Sequence, residues 1–297
     1  MLNLPDQVSI IEVGPRDGLQ NEKNIIPTEA KIAFIQQLKA AGITEMELTS
    51  FVSPKWVPQM QDADKIVAAC IDQTRNFVLT PNRKGVERIY PLKCNAIAFF
   101  IGVSNTFNKK NINKTTNEAL EEITPLILDV KKKNFFVRIC ISTSFYCPYE
   151  GKISPEKVLS LCSRFVDLGV DELSIADTIG MANPRQVYDL FSSLTRIFPT
   201  VLLTAHFHDT RKMALANIVA ALQTGVTRFD TSAGGLGGCP FAKGATGNVA
   251  TEDVVFMLEE MGVKTGLSLK QLVKALQTIE PYLSHPFDSG YFYLSKQ

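Results

Sequence analysis

The run LLTAHFHDT, residues 202–210, places two of the chain's three histidines, His206 and His208, two positions apart with Asp209 beside them. Alternate side chains of a strand share a face, so both imidazoles point one way and Phe207 the other. Two imidazoles about 7 Å apart along a strand can share one metal ion. The competing assignment is a pair of hydrogen-bonded core histidines. Carboxylates placed to reach the same point favour the metal. Asp17, in GPRDGLQ, and Asn248, after a glycine-rich stretch, can complete the set. Two imidazoles, a carboxylate and an amide oxygen describe an open, octahedral-type site with room for water and substrate. No thiolate joins them, which argues against structural zinc. The imidazoles lean toward Mn²⁺, and Mg²⁺ suits a substrate that brings its own oxygens.

Other residues suggest what such a site would do. Arg16 adjoins Asp17. A guanidinium buried at a strand end must face negative charge. That charge is a salt-bridge partner or, in the preferred reading, an oxyanion formed during reaction. Glu47 and Asp177 read as carboxylates that support the catalytic set by holding Arg16 or the histidines. The stretch AGGLGGCPFAKGATGN (233–248) holds six glycines. It suits neither a helix nor a stable strand. A long loop of this kind over a cavity reads as a lid. Cys239 on that lid is a thiol that, near a cation, can ionise and move a proton. The basic runs NRK (82–84) and NKKNINK (108–114) are solvated surface or a seat for a phosphorylated tail.

These residues need elements to carry them. Apolar or β-branched runs at 8–13, 45–49, 76–80, 96–101, 135–142, 172–177, 202–209 and 228–233 predict eight strands. Amphipathic segments of helical length separate them. One starts with Thr28 as N-cap and stops at Gly42. Others start at Ser154-Pro155, stopping at Gly169, and at Asn183-Pro184. Eight strand–helix units predict an α/β fold, a (β/α)₈ barrel with an extra C-terminal helical segment. Residues 1–297 then form one catalytic domain. A doubly wound sheet would carry a phosphate fingerprint after its first strand. Neither GPRDGLQ nor the glycine-rich stretch has the required spacing. In a barrel, function sits at the C-terminal ends of the strands. Asp17, Glu47, Asp177, His206, His208 and Asn248 all fall there, and strands 1 and 7 are separated only by strand 8.

Composition narrows the partners. With 45% hydrophobic residues, 21% charged residues and a net charge of +1, the chain lacks the basic excess typical of nucleic-acid binding. No apolar run approaches the roughly 20 residues of a membrane span. No targeting segment is visible at the N-terminus. The six cysteines form no CxxC pair. They read as reduced thiols in a cytoplasmic protein.

The blocks EVGPRDGLQNE (12–22), SFVSPKWVPQM (50–60), KKNIN (109–113), CPYEGKISP (147–155), ADTIG (176–180), HFHDT (206–210) and GGLGGCPFAKGATGNVATEDV (234–254) resemble the 3-hydroxy-3-methylglutaryl-CoA lyase family over nearly the whole chain. The resemblance implies a metal-dependent barrel that cleaves hydroxymethylglutaryl-CoA to acetyl-CoA and acetoacetate. Carried over by position, Asp17, His206, His208 and Asn248 hold a divalent ion, Mg²⁺ or Mn²⁺. Arg16 contacts the substrate carbonyl, Cys239 is the catalytic lid residue, and Glu47 and Asp177 support the site. Gln20 lies near the metal, and Lys84, Asn111 and Thr115 seat the CoA. The implied partners are an acyl-CoA and a second copy of the chain, with no nucleic acid or membrane.

The chain departs from the family pattern at a few positions. Thr115 replaces a serine and keeps the hydroxyl. Cys140 stands where relatives often have tyrosine, and Arg211-Lys212 replace a pair that ends in glycine. These changes leave room for a longer-branched 3-hydroxyacyl-CoA as substrate. A condensing synthase is the nearest rival among enzymes, though such chains usually extend further at the C-terminus. A binding protein on a decayed barrel would have lost a ligand residue, and none is lost.

Overall fold

The computed structural model describes residues 4–238 and 247–296. Eight parallel strands are β1 (Ser9–Glu12), β2 (Glu45–Ser50), β3 (Arg75–Leu79), β4 (Ala96–Gly102), β5 (Phe136–Ser142), β6 (Glu172–Asp177), β7 (Leu202–Phe207) and β8 (Arg228–Thr231). They close on themselves in the order β1-β8-β7-β6-β5-β4-β3-β2. Helices connect and surround them: α1 (Thr28–Ala40), α2 (Ala63–Cys70), α3 (Arg83–Ile89), α4 (Asn105–Ile112), α5 (Thr116–Lys132), α6 (Pro155–Val166), α7 (Pro184–Ile197), α8 (Ala214–Leu222) and α9 (Thr251–Glu260). The C-terminal segment adds α10 (Leu269–Ile279), which packs on α1, and the short α11 (Gly290–Leu294). The chain is a (β/α)₈ barrel, as its alternation of patterns predicts.

Local chemistry explains the helix borders. At α7, Asn183 Oδ1 accepts the Gln186 amide at 3.0 Å, and Gln186 Oε1 accepts the Asn183 amide at 3.1 Å. This reciprocal cap satisfies donors that the first turn leaves free. Val158, Leu161, Cys162 and Phe165 form one buried stripe of α6 at helical spacing. The start of α1 differs from expectation. Pro27 occupies the N-cap and the Thr28 side chain makes no capping bond, because Thr28 already lies inside the helix. After α1, Gly42 has φ +104°, and a Cβ there would meet the Gly266 carbonyl at 2.8 Å. Strand β7 ends at Phe207, so His208 lies just beyond it, bridged to Asn248.

Period-two alternation separates the two faces of each strand. Outward residues such as Ile97, Phe99, Val137, Ile139, Leu173 and Phe207 pack under the helices. The interior is divided. One cluster is apolar, with Ile11, Val13, Phe77, Leu79, Ala96 and Ala98 from β1, β3, β4 and the residue after β1. Between and beside them, β2, β5, β6 and β8 point charged groups inward, and Arg75 of β3 joins them by pairing with Glu45 at 2.9 Å. Arg228 makes a bidentate pair with Glu45, at 2.8 and 2.5 Å, and reaches Glu172 at 3.3 Å. Above it, fully buried Arg138 bonds Asp230 and lies 3.5 Å from Glu172 and 3.9 Å from Glu47. Bulky apolar residues usually fill this space. Here ion pairs take up part of it.

A buried charge is tolerated only while it is paired. Arg138→Met should therefore cost about 3–5 kcal/mol, since it strands Asp230, Glu172 and Glu47 without their cation. Urea unfolding of parent and variant measures this. A loss below about 1 kcal/mol would mean that the pair is dispensable.

Candidate active site

The chain leaves β1 through a widened helical turn over Gly14–Gly18. The Val13 carbonyl accepts the Asp17 amide at 2.7 Å and the Gly18 amide at 3.2 Å, and the Leu19 amide reaches Gly14 at 2.9 Å. Single i→i+5 turns are often found at functional sites. This one brings the consecutive residues Arg16 and Asp17 to the same cleft at the C-terminal end of the barrel. Arg16 Nε donates to Glu47 Oε2 at 2.6 Å and Nη1 to Asp17 Oδ1 at 2.5 Å. Burial disfavours the guanidinium's charge, but the Glu47 and Asp17 carboxylates outweigh it and raise its pKa above the ordinary value.

Asp17, His206 and His208 each offer a ligand atom, and these atoms lie within 4.8 Å of one another. The imidazole centroids are 5.3 Å apart. Asn248 joins from the segment after β8, donating Nδ2 to Asp17 Oδ2 at 2.8 Å and to the Leu236 carbonyl at 3.2 Å. Gly237 permits this approach. It has φ +129°, and a Cβ on it would meet Asn248 Nδ2 at 2.8 Å. Gln20 Nε2 donates to Asp17 Oδ1 at 3.1 Å.

The donor set fits a divalent ion. Among the described residues, Asn248 Oδ1 and His208 Nδ1 are buried without a hydrogen-bond partner. Buried polar atoms normally have one, and an ion would supply it. Burial would raise the Asp17 pKa, but Arg16 and the two histidines pull it down to about 2, so it is a carboxylate. Burial and the neighbouring His206 lower His208 to about 4, which leaves it neutral. For His206, burial is outweighed by Asp230, whose Oδ2 lies 3.1 Å from Nδ1, and the pKa rises.

The remaining sequence-predicted residues divide into groups. Glu47 is fully buried behind Arg16. Asp177 is also buried, and its carboxylate accepts the Met181 and Ala182 amides at 3.0 and 2.8 Å. Burial pushes its pKa up to about 6. Both therefore brace the site from behind. Asn111, on α4, lines the cleft along with Cys140. Lys84 lies exposed in the first turn of α3, outside the lining. Thr115 caps α5 by accepting the Glu118 amide at 3.2 Å, which commits its oxygen to the helix. Asp209 caps α8 through the Ala214 amide at 3.0 Å and takes no part in the cluster. Arg211 donates to the Ile179 and Gly180 carbonyls at 3.0 and 3.2 Å, so it secures the loop after β6. Lys212 has φ +55°, the left-handed region that glycine adopts freely. Cys239, with the central part of the expected lid, lies outside the described residues.

Two features escaped sequence reasoning. Asp230 and Arg138 connect the ion pairs of the barrel to the site. Their signal was faint: charged residues at the inward period of runs that are otherwise apolar. The second feature is Glu12, which faces away from the cleft. Its Oε1 accepts the Gly14 and Ala233 amides at 2.7 and 3.0 Å, and its Oε2 accepts the Thr251 hydroxyl at 2.7 Å. It thus joins the Arg16–Asp17 turn, the start of the glycine-rich segment and the helix after Asn248. Glu252 accepts the Gly234 amide beside it at 3.0 Å.

The cleft has a volume of about 410 Å³. Among the described residues, no helix is long and apolar enough to cross a membrane.

Comparison with known proteins places this geometry. Residues 7–279 match the HMGL-like family. The chain is 47% identical over 288 residues to the hydroxymethylglutaryl-CoA lyase YngG of Bacillus subtilis, covering 96% of each chain. A crystal structure of the Bacillus subtilis HMG-CoA lyase superposes with a TM-score of 0.95 at 44% identity, covering 99% of each chain. An HMG-CoA lyase from A. baumannii, solved in complex with coenzyme A and 3-methylmalate, gives a TM-score of 0.91 at 38% identity, over 98% of this chain and 95% of that one.

Burial pushes the Glu12 and Glu252 carboxyls up to about 7. Such a carboxyl holds its proton more tightly folded than unfolded, where the ordinary value is 4.5. Its contribution to stability is full below that value and is lost as pH rises through about 7. Glu252→Gln should remove this dependence. The stability difference, parent minus variant, should fall between pH 4.5 and 7 and flatten outside that window. Urea unfolding across pH measures it, and a pH-independent difference would contradict the assignment.

Proposed function

We propose that this chain, which belongs to the HMGL-like family, is a carbon–carbon lyase that cleaves 3-hydroxy-3-methylglutaryl-CoA to acetyl-CoA and acetoacetate. One observation carries the reading: a braced guanidinium, Arg16, and a cluster of metal-ligating side chains, Asp17, His206 and His208, face the same cleft. The relatives' named reaction and the coenzyme A bound to one of them support it.

Mg²⁺ or Mn²⁺, held by Asp17, His206, His208 and Asn248, would supply a Lewis acid for the hydroxyl and carboxylate oxygens of the substrate. The protein's own groups do the rest. The tertiary hydroxyl gives up its proton to a base in the cluster, Asp17 or one of the histidines, as the bond between its carbon and the thioester methylene breaks. The bond electrons move into the thioester and form an enolate. Arg16, charged at any working pH and oriented by Glu47, faces the enolate oxygen. Holding the donor in place beforehand avoids reorganisation as charge develops. Asp177 takes up the Met181 and Ala182 amides and so holds the segment that follows the cleft-lining Ala176 and Thr178. Cys239 is the proton donor to the enolate carbon in this reading. Asn111 on the rim, with Lys84 and Thr115 beyond it, seats the CoA tail. The five described cysteines are free thiols, which suits a reducing, cytoplasmic setting.

The purified chain should convert hydroxymethylglutaryl-CoA to equal amounts of acetyl-CoA and acetoacetate with Mg²⁺ or Mn²⁺, and EDTA should abolish turnover. Protein that binds Mn²⁺ yet leaves this thioester intact would overturn the substrate assignment. A parallel reaction with a longer-branched 3-hydroxyacyl-CoA tests the room left by Cys140. Arg16→Gln, saturated with Mn²⁺, should lower kcat by about 10²- to 10³-fold, the usual cost of one oxyanion donor. A variant with parental kcat would remove Arg16 from the chemistry.

A further inference from the structure

We infer that Asp230 is a positioning residue for the metal centre: it sets the ring orientation and tautomer of His206 and connects that ligand to the buried guanidinium of Arg138. The inference rests on the metal-dependent reading above and goes one layer beneath it.

Asp230 and His206 are direct partners in the register of β8 and β7. Asp230 is buried, and its Oδ2 lies 3.1 Å from His206 Nδ1. The same oxygen accepts the Ser174 hydroxyl at 2.7 Å and an N–H of Arg138. Donors from β5, β6 and β7 thus converge on one oxygen atom. Two of them, the Arg138 guanidinium and the Ser174 hydroxyl, hold the carboxylate in its rotamer independently of His206. An oxygen held in this way accepts, so Nδ1 must carry the proton and donate. Nε2 is then the nitrogen left with a lone pair for the cluster with Asp17 and His208. On His208 it is Nδ1 that is left for an ion, being buried without a hydrogen-bond partner among the described residues. Carboxylates in this position commonly fix the tautomer of a ligating histidine. Arg138 also lies 3.9 Å from Glu47, which grips Arg16. A single buried cation therefore stands behind both halves of the site.

Two measurements test this. The first is Mn²⁺ titration of the metal-free full chain by calorimetry, comparing the parent with Asp230→Asn and Ser174→Ala. Asp230→Asn should weaken Mn²⁺ by 10- to 100-fold, the usual effect of losing such a partner. Ser174→Ala, which removes one neutral donor, should weaken it less. Folded Asp230→Asn that binds Mn²⁺ within about twofold of the parent would overturn the inference. The second needs no variant. Long-range ¹H–¹⁵N NMR of the metal-free parent at pH 8 reads the tautomers of its three histidines. His206 should show a protonated, hydrogen-bonded Nδ1 and a bare Nε2. The opposite tautomer would overturn the inference even if Asp230→Asn does not fold. A parent that binds no Mn²⁺ would refute the metal-dependent reading, and the tautomer would still decide the role of Asp230.

Discussion

A guanidinium that cannot reach water must be neutralised where it stands, and Arg138 is fully buried in the middle of this barrel. Burial works against its charge, but Asp230, Glu172 and Glu47 outweigh it and hold its pKa well above the ordinary value. Each carboxylate is thereby restricted in position, because moving away would leave the cation uncompensated in a medium of low dielectric. Two of these carboxylates reach upward. Glu47 holds Arg16 and Asp230 meets His206. The charged groups of the cleft are therefore the exposed end of an ionic stack that begins near the bottom of the barrel with Arg228 and Glu45.

This arrangement exchanges some stability for geometry. Well-packed apolar side chains would fill the interior as well or better, since desolvating ions is costly. Directional bonds to fixed charges offer something hydrophobic contact does not: they hold a side chain to one rotamer and one tautomer. Catalytic groups need that accuracy, and groups on strands backed by a second layer of contacts provide it. Glu12 and Glu252 play a comparable role outside the barrel. They take up backbone amides at the start of the glycine-rich segment and connect it to the turn bearing Asp17.

Much of this was legible in the residues alone. The eight strands announce themselves as short apolar or β-branched runs separated by amphipathic segments of helical length. His206, His208, Arg16 and Asp17 stand out because polar groups at the ends of apolar strands need a reason to be there. Element borders were less legible. Thr28 has the chemistry of a cap, yet Pro27 takes that place because the chain turns into the helix one residue earlier. Arg138 and Asp230 were least visible. A charged residue every second position also describes a strand with one wet face.

By itself the sequence determined which groups are available and on which face of which strand they stand, because alternation is a local property of the backbone. It also determined the order of the strands, since successive parallel strands joined by helices lie side by side. Only the tertiary structure decided that the inward face of half the strands is ionic rather than wet. Closure of the barrel brings β5 across from β8 and removes the water between them. In that dry space Arg138, 92 residues away along the chain, becomes the partner of Asp230, and through Asp230 it reaches His206.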